Sequence, residues 1–225
     1  RRSGDMLEKA LIAGICSAGA EAVCLGVIST PAVAYLTRKY KADAGIVISA
    51  SHNPAEFNGI KFFNSRGYKL SDSLEDRIES IILDKTESLP NPSGGMVGIV
   101  TEKAEADDDY ISFLTKTINS KFNGLRIAID CANGSAYKTA PRLFRELGAE
   151  VFIVNDSPDG LNINKNCGST HMNMLKELVV NKNCDIGFAF DGDADRVLAV
   201  DNNGLVVDGD KILAIIGLEL KNQNK

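Results

Sequence analysis

The chain has 225 residues, of which 44% are hydrophobic, and its formal net charge is −5. This composition supports a buried core and argues against disorder, because disordered segments combine low hydrophobicity with high net charge. The negative charge argues against a nucleic-acid-binding protein, which needs a basic face. No apolar run is long enough to cross a bilayer, so a membrane protein is not expected.

The chain ends and the cysteines indicate the context of the protein. The sequence starts Arg-Arg-Ser-Gly, without a start methionine or a signal core, and it stops inside an apparent helix, so we expect a piece of a longer chain. The five cysteines are an odd number without a CxxC pair, which favours reduced thiols and a cytoplasmic protein. Two histidines, His52 and His171, are too few and too far apart to indicate a zinc site.

The first hundred residues alternate between helix and strand patterns. Helices are predicted over residues 5–17 and 31–40, and strands over 22–27 and 44–49. This order is typical of a parallel sheet that is covered by helices. Two short apolar segments, 59–63 and 67–70, flank a turn and predict a hairpin. A helix capped by Ser71 or Asp72 is expected to follow.

A breaker-rich stretch and an acidic run, Asp107 to Asp109, separate this part from a second helix–strand series. We interpret the run as the solvated start of a helix rather than a metal site, because carboxylates there complement the helix dipole. The second series predicts these elements: helices over 110–118, 136–147 and 172–181; strands over 125–130, 150–154 and 185–190; a hairpin of 197–200 with 205–207; and a helix over 212–220 capped by the segment Asp-Gly-Asp at 208–210.

The predicted fold class is α/β, with two consecutive α/β domains that have mixed, mostly parallel sheets covered by helices, plus the start of a third domain. The predicted boundaries are 1–105, 106–207 and 208–225. The loop that follows a strand at its carboxyl end is where open α/β sheets bind ligands, so the loops after residues 48 and 190 are the first places to look for chemistry.

An acidic loop follows the strand at 185–190 and reads Asp-Gly-Asp-Ala-Asp-Arg. Alternate side chains of an extended segment point the same way, which brings Asp191, Asp193 and Asp195 together. Their carboxylates repel one another unless a hard cation lies between them, and Mg²⁺ is the usual cation where phosphate is also bound. Arg196 offers a guanidinium for a phosphate contact.

Other interpretations of this loop remain open. An EF-hand is excluded, because its sixth position would be Arg196 instead of Gly and its twelfth Asn202 instead of Glu. A solvated charge run is disfavoured by the small spacers and the flanking apolar strands. An aspartyl-type phosphatase would use Asp191 as the phosphoryl-accepting nucleophile. A non-catalytic sugar-phosphate-binding or metal-binding module is the third possibility.

A second polar loop, Ser-Ala-Ser-His-Asn-Pro at residues 49–54, follows the strand at 44–48 and presents the hydroxyl of Ser51 beside the imidazole of His52. Ser51 could merely cap a turn. A serine hydrolase is disfavoured, because there is no Gly-x-Ser-x-Gly elbow. The combination of this loop with the acidic loop is much more specific than either alone.

That combination, together with Asn-Gly-Ile-Lys-Phe-Phe at 58–63, resembles the α-D-phosphohexomutase superfamily over nearly the whole chain. The tract Pro-Asp-Gly-Leu-Asn-Ile-Asn at 158–164, with Cys-Gly-Ser-Thr-His at 167–171, resembles its bacterial phosphoglucosamine mutase branch. Phosphomannomutase/phosphoglucomutase members are the alternative. The resemblance implies interconversion of glucosamine 6-phosphate and glucosamine 1-phosphate through a phosphoserine and a 1,6-bisphosphate. That reaction serves UDP-N-acetylglucosamine and cell-wall synthesis.

The resemblance also implies the roles of individual residues. Ser51 is the phosphoserine, and its phosphate, Asp191, Asp193 and Asp195 bind Mg²⁺. Arg196 and Asn53 contact phosphate. Lys61 is a candidate general acid or base, or a phosphate contact, and His52 and Asn53 support the catalytic loop. The small-molecule partner is a sugar phosphate, and the sequence does not indicate the oligomeric state.

Two positions and the length depart from the family pattern. Many relatives carry aspartate at the position of Phe57 and glycine at that of Ala194. Members of the superfamily have four domains, and we expect this chain to lack the start of the first, nearly all of the third and the whole fourth. We therefore expect the fragment to be inactive by itself.

Overall fold

The computed structural model describes residues 1–84 and 87–223. The chain forms two compact units, Arg1–Ser49 with Asn58–Tyr110 and Ala50–Phe57 with Ile111–Lys225. The short segment Ala50–Phe57 therefore groups with the second unit, although the elements on either side of it belong to the first. The predicted domain boundaries at residues 105 and 207 stay predictions.

The first unit contains four helices and four strands within the described residues, the last helix continuing into the second unit. These elements are α1 (Gly4–Ser17), β1 (Ala22–Cys24), α2 (Thr30–Lys39), β2 (Ala44–Ile48), β3 (Ile60–Asn64), α3 (Asp72–Asp84), β4 (Val100–Glu102) and α4 (Ala106–Lys116). Strand β1 pairs in parallel with β4, and β2 pairs antiparallel with β3. The prediction that β1 and β2 pair in one parallel sheet is therefore not met in the described residues.

The hairpin predicted over residues 59–70 does not form as two strands. Its first arm is β3, and its second arm contributes only a single bridge, between Phe63 and Lys69. The side chain of Asn64 accounts for the difference, because its Oδ1 accepts hydrogen bonds from the main-chain N–H groups of Arg66 and Tyr68. An asparagine side chain that binds nearby amides in this way competes with the strand ladder. Strand β3 instead finds its main-chain partners in β2.

The acidic run at the start of α4 lies in the first turn of that helix, as predicted. Asp109 accepts hydrogen bonds from Lys39 and from the hydroxyl of Tyr40, at 2.6 and 2.7 Å. These hydrogen bonds hold the pKa of the Asp109 carboxyl below its ordinary value. The run therefore ties the end of α2 to the start of α4.

The second unit is built on a five-stranded sheet with the order β6-β5-β7-β8-β9. Its elements after α4 are β5 (Arg126–Asp130), α5 (Ala136–Glu146), β6 (Glu150–Val154), α6 (Asn173–Asn181), β7 (Ile186–Phe190), β8 (Val197–Asp201), β9 (Val206–Val207) and α7 (Gly209–Asn222). Strand β5 is parallel to β6 and β7, whereas β8 is antiparallel to β7 and β9. The α/β class and the mixed sheets are confirmed. Antiparallel pairs are as common as parallel ones among these strands.

Strand β5, which lies between β6 and β7, is buried on both faces. Ile127 and Ile129 pack in one core cluster with Ala136 of α5, while Ala128 packs in another with Leu175 of α6. This arrangement follows from the two-residue period of a strand, which sends alternate side chains to opposite faces. Because β5 and β7 are parallel neighbours, their carboxyl ends and the loops that follow lie at the same edge of the sheet.

Helix α7 begins at the predicted cap, where the side chain of Asp208 accepts a hydrogen bond from Lys211 N. Several of its large apolar side chains, among them Leu213 and Leu218, are exposed. The third domain that we expect to begin here stays a prediction, and residues 224–225 of that segment lie outside the described residues. No helix in the described part of the chain combines the length and apolar character of a membrane span.

Candidate active site

The three carboxylates of the acidic loop after β7 lie together, as predicted. The loop is a turn and not the extended segment that the prediction assumed, since Ala194 N donates to the carbonyl oxygen of Asp191 at 3.0 Å. One oxygen from each of Asp191, Asp193 and Asp195 lies within 4.8 Å of the others. Asp191 and Asp193 are almost fully buried, at 1% and 3% exposure, whereas Asp195 is partly exposed. The loop closes on itself, since Arg196 N donates to Asp191 Oδ1 at 3.2 Å. These three residues form a candidate metal site.

The electrostatics of Asp191 favour a cation at this place. Burial raises the pKa of the Asp191 carboxyl above its ordinary value, and the nearby charges of Asp193 and Asp195 raise it further. A hydrogen bond from Ser51 acts in the opposite direction. Carboxylate oxygens are the ligands that Mg²⁺ prefers, so the donor set fits a hard divalent ion.

Ser51 belongs to the same unit as the acidic loop and contacts it directly. Its Oγ donates a hydrogen bond to Asp191 Oδ2 at 2.6 Å and accepts one from Arg196 Nη2 at 2.7 Å. The residue is 8% exposed and has a φ of +49°. Residues other than glycine rarely adopt this left-handed conformation, and it persists only where the surroundings enforce it.

Arg196 connects the two loops through more than one contact. Its Nη2 lies 2.7 Å from Ser51 Oγ and 2.8 Å from His52 Nδ1. Its Nε lies 3.4 Å from Asp195 Oδ1. The predicted residues Ser51, His52, Asp191 and Arg196 are therefore neighbours, and a hydroxyl is held between a carboxylate and a guanidinium. Such a hydroxyl can carry a phosphoryl group, because the guanidinium offsets the negative charge of phosphate.

For Asn53 and Lys61, the two other residues predicted to act in the site, the structure shows main-chain contacts. Asn53 N donates to the carbonyl oxygen of Ala50 at 3.0 Å, which closes the turn that contains Ser51. Lys61 lies on β3 in the first unit, opposite Val47 of β2. Their proposed roles in phosphate binding and acid–base chemistry stay predictions.

The sequence reasoning missed Asn164 as a site residue. The side chain of Asn164 is buried, and its Nδ2 donates to the carbonyl oxygens of Ser51 at 2.9 Å and of Asn53 at 3.1 Å. Asn164 lies in the tract 158–164, which indicates a family resemblance but no role for this side chain. No local signal identifies a contact between residues that are 113 positions apart in the chain.

Asp130, at the carboxyl end of β5, was also missed. Its carboxylate is fully buried and accepts hydrogen bonds from the N–H groups of Ala132 and Gly168, each at 2.9 Å. Burial raises the pKa of this carboxyl, while the same two hydrogen bonds lower it. Asp130 thus shapes the turn after β5. An acidic residue that ends a predicted buried strand was the available signal.

Two glycines allow the loops to approach closely. A Cβ on Gly192 would lie 2.7 Å from the Ser51 carbonyl oxygen and 2.8 Å from Asn164 Nδ2. A Cβ on Gly134, in the turn after β5, would lie 2.4 Å from the Gly192 carbonyl oxygen. Ala194 has a φ of +55°, in the left-handed region that favours glycine, and its side chain packs against the α5 face of the core. The side chain of Phe57 is exposed, so this position contributes no core packing.

Comparisons with known proteins agree with this geometry. The family described as phosphoglucomutase/phosphomannomutase matches the chain twice, with its alpha/beta/alpha domain I over residues 1–89 and domain II over residues 108–204. The phosphoglucosamine mutase of Acetivibrio thermocellus is 63% identical over the whole chain, which covers 50% of that protein. That of Clostridium novyi is 62% identical over the same extent, again 50% of the relative.

A solved structure is also similar. A phosphoglucomutase/phosphomannomutase family protein from Burkholderia thailandensis superimposes with a TM-score of 0.86 at 27% identity, covering 100% of this chain and 49% of that one. The chain thus spans about half the length of the curated relatives that it matches.

Proposed function

The chain belongs to the phosphoglucomutase/phosphomannomutase family, and we propose that it is the part of a phosphoglucosamine mutase that carries the phosphoserine and the metal loop. The reaction is the interconversion of glucosamine 6-phosphate and glucosamine 1-phosphate. The observation that carries the proposal is the position of Ser51 Oγ, 2.6 Å from Asp191 Oδ2 and 2.7 Å from Arg196 Nη2. The identity of about 60% to proteins of that name supports the choice of sugar.

Ser51 is the phosphoryl carrier in this proposal. In the first transfer the bond between phosphorus and Ser51 Oγ breaks, a bond from phosphorus to a hydroxyl of the sugar phosphate forms, and that hydroxyl loses its proton to a base, for which Lys61 is the candidate. The resulting 1,6-bisphosphate reorients and returns its other phosphoryl group to Ser51. Arg196 stabilises negative charge on Oγ as the bond breaks, because its guanidinium already contacts that atom.

Asp191, Asp193 and Asp195 would hold Mg²⁺ together with an oxygen of the phosphoserine. When bound, Mg²⁺ supplies charge neutralisation to the phosphoryl oxygens. The three carboxylates contribute the negative charge and the oxygen ligands that hold such an ion. His52 acts by orienting Arg196, to which its Nδ1 lies at 2.8 Å. Asn53 is proposed as a phosphate contact of the same loop.

Phosphopeptide mass spectrometry on the full-length protein tests the proposal against its alternatives. The protein is treated briefly with glucosamine 1,6-bisphosphate and reduced with borohydride to trap any labile aspartyl phosphate before digestion. Phosphate on Ser51, absent in Ser51→Ala and retained in the exposed-serine control Ser157→Ala, is the expected result. Conversion of Asp191 to homoserine, the product of borohydride reduction of an aspartyl phosphate, would support an aspartyl-type phosphatase instead. The absence of both products would support a non-catalytic binding module.

The 225-residue chain by itself should not turn over sugar phosphate, since it spans only half of its relatives. We propose that the segment from residue 208 begins a third domain and that the protein works in a reducing, cytoplasmic compartment. All five cysteines are free thiols, which agrees with the latter. A coupled assay that detects mutase activity in the isolated chain would overturn the expectation that it is inactive by itself.

A further inference from the structure

We propose that Asn164 is a positioning residue that sets the conformation of the Ser51 loop for both phosphoryl transfers. This inference rests on the proposed function, because it concerns the same serine. Its basis is a pair of hydrogen bonds from one side-chain amide, Asn164 Nδ2, to the carbonyl oxygens of Ser51 at 2.9 Å and of Asn53 at 3.1 Å. The two carbonyl groups flank His52, so the amide holds the main chain on both sides of that residue.

The loop needs such a constraint because its backbone is strained. Ser51 has a φ of +49°, a left-handed conformation that is unfavourable for a residue with a Cβ. A serine in a free loop would leave this conformation, and its Oγ would move away from Asp191 and Arg196. The contacts of Asn164 oppose that movement at the carbonyl group of Ser51 itself.

Asn164 is itself held firmly enough to serve as an anchor. Its main-chain N–H donates to the carbonyl oxygen of Ala132 at 2.9 Å, in the turn that follows β5. The carboxylate of Asp130 in turn binds Ala132 N. The space around the amide is closed by Gly192, where an added Cβ would come within 2.8 Å of Nδ2. The side-chain amide of Asn164 therefore lies where three segments meet: the end of β5, the acidic loop that contains Gly192, and the loop that contains Ser51.

The chemistry of the contacts suits a residue that acts throughout a catalytic cycle. Asn164 binds main-chain carbonyl groups and not the hydroxyl of Ser51. Its hydrogen bonds can therefore persist whether Oγ carries a proton or a phosphoryl group. Phosphoryl transfer depends mainly on positioning and electrostatics, so a loop that keeps one conformation in both states favours turnover.

Matched variants of two asparagines test the role in the full-length protein. Asn164 and Asn166 share a left-handed backbone, with φ of +58° and +55°, but Asn166 is exposed and lies two residues further along. Asn164→Gly removes the amide without adding backbone strain, and Asn164→Asp places an acceptor where a donor stood. Asn166→Gly and Asn166→Asp are the controls.

We expect both Asn164 variants to lose roughly 10- to 100-fold in kcat for glucosamine 6-phosphate, since a misplaced reacting group costs about that factor. KM should stay near the wild-type value, because Asn164 does not touch the sugar in this proposal. The rate of phosphate transfer from the bisphosphate to Ser51 should fall with kcat. The Asn166 variants should match the wild type in all three quantities.

Wild-type kcat in Asn164→Gly, or an equal loss in Asn166→Gly, would overturn the inference. If the wild-type protein is not phosphorylated on Ser51, the proposed function fails instead, so the two failures are distinguishable. A measurement on the wild type removes any dependence on variant folding. In protein labelled with ¹⁵N at asparagine, NMR should show that the side-chain amide protons of Asn164 exchange with solvent far more slowly than those of Asn166. Equal exchange rates would contradict the hydrogen bonds from Asn164 to the Ser51 loop.

Discussion

Ser51 Oγ donates a hydrogen bond to Asp191 Oδ2 at 2.6 Å, although 140 positions separate the two residues in the chain. The serine loop, Ala50–Phe57, groups with the unit that contains the acidic loop, while the strands next to it, β2 and β3, belong to the other unit. The hydroxyl and the three carboxylates thus form one local site. In the proposed function this site is a phosphoryl carrier next to a divalent cation.

Replacing the carboxylate of Asp191 should weaken metal binding. Substitutions in the outer shell of metal sites already cost about 10- to 100-fold in affinity, so we expect Asp191→Asn to weaken Mg²⁺ binding by at least ~100-fold. Isothermal titration calorimetry with MgCl₂ measures the change. Asp210→Asn, which removes an exposed carboxylate from the first turn of α7, is the control and should bind as the wild type does. Unchanged affinity in Asp191→Asn would exclude the acidic loop as the metal site.

The contacts of Arg196 with Ser51 and His52 should be energetically coupled. Arg196→Lys retains the charge but loses the guanidinium that reaches both Ser51 Oγ and His52 Nδ1. In a double-mutant cycle with His52→Ala on kcat/KM, we expect a coupling energy of at least about 0.5 kcal/mol. Strict additivity of the two effects would show that His52 does not act through Arg196.

A methyl group at Gly192 should disturb the contact between the two loops. Its Cβ would lie 2.7 Å from the Ser51 carbonyl oxygen, and overpacking of this kind costs about 1–3 kcal/mol. Urea unfolding of the 225-residue chain measures the loss. Gly217→Ala in α7 is the matched control, because nothing lies within 4 Å of its added Cβ. A helical glycine replaced by alanine should gain about 0.5–1 kcal/mol. Equal stability of the two variants would contradict the close approach of the loops.

The ion pair of Asp109 predicts a pH-dependent stability. Hydrogen bonds from Lys39 and Tyr40 lower the pKa of the Asp109 carboxyl below its ordinary value of 3.8 in the folded chain. A lowered pKa means that the folded state prefers the ionised form, so the stabilisation is complete above pH 3.8 and is lost as the pH falls through the folded pKa.

Asp109→Asn should therefore be less stable than the wild type at pH 7, and the difference should shrink as the pH is lowered below 4, close to the ordinary pKa of 3.8. Urea unfolding at a series of pH values measures it. Asp43→Asn, which removes an exposed carboxylate elsewhere in the first unit, controls for the change in net charge. A difference that is independent of pH would mean that the carboxylate charge does not contribute.

Much of this protein could be predicted from local patterns. The helices, most strands, the cap at Asp208 and the acidic run at the start of α4 depend on side chains within a few residues of one another, so the periodicity predicts them correctly. The convergence of Asp191, Asp193 and Asp195 was predicted from alternation along an extended loop, but these residues meet in a turn, in which Ala194 N donates to the Asp191 carbonyl oxygen. The importance of Ser51 followed from motif recognition rather than from physical reasoning alone.

The pairing of strands and the meeting of loops were decided by the tertiary structure. The pairing of β1 with β4, the reduction of the hairpin after β3 and the contact of Asn164 with the Ser51 loop involve partners that no local pattern specifies. Gly192 looked like a small spacer, yet the space that it leaves is filled by atoms from residues 51, 163 and 164. The sequence by itself identified the residues that we propose to carry the chemistry. Only the packing of distant segments determined which residues hold them in place, because such contacts depend on shape complementarity across the whole unit.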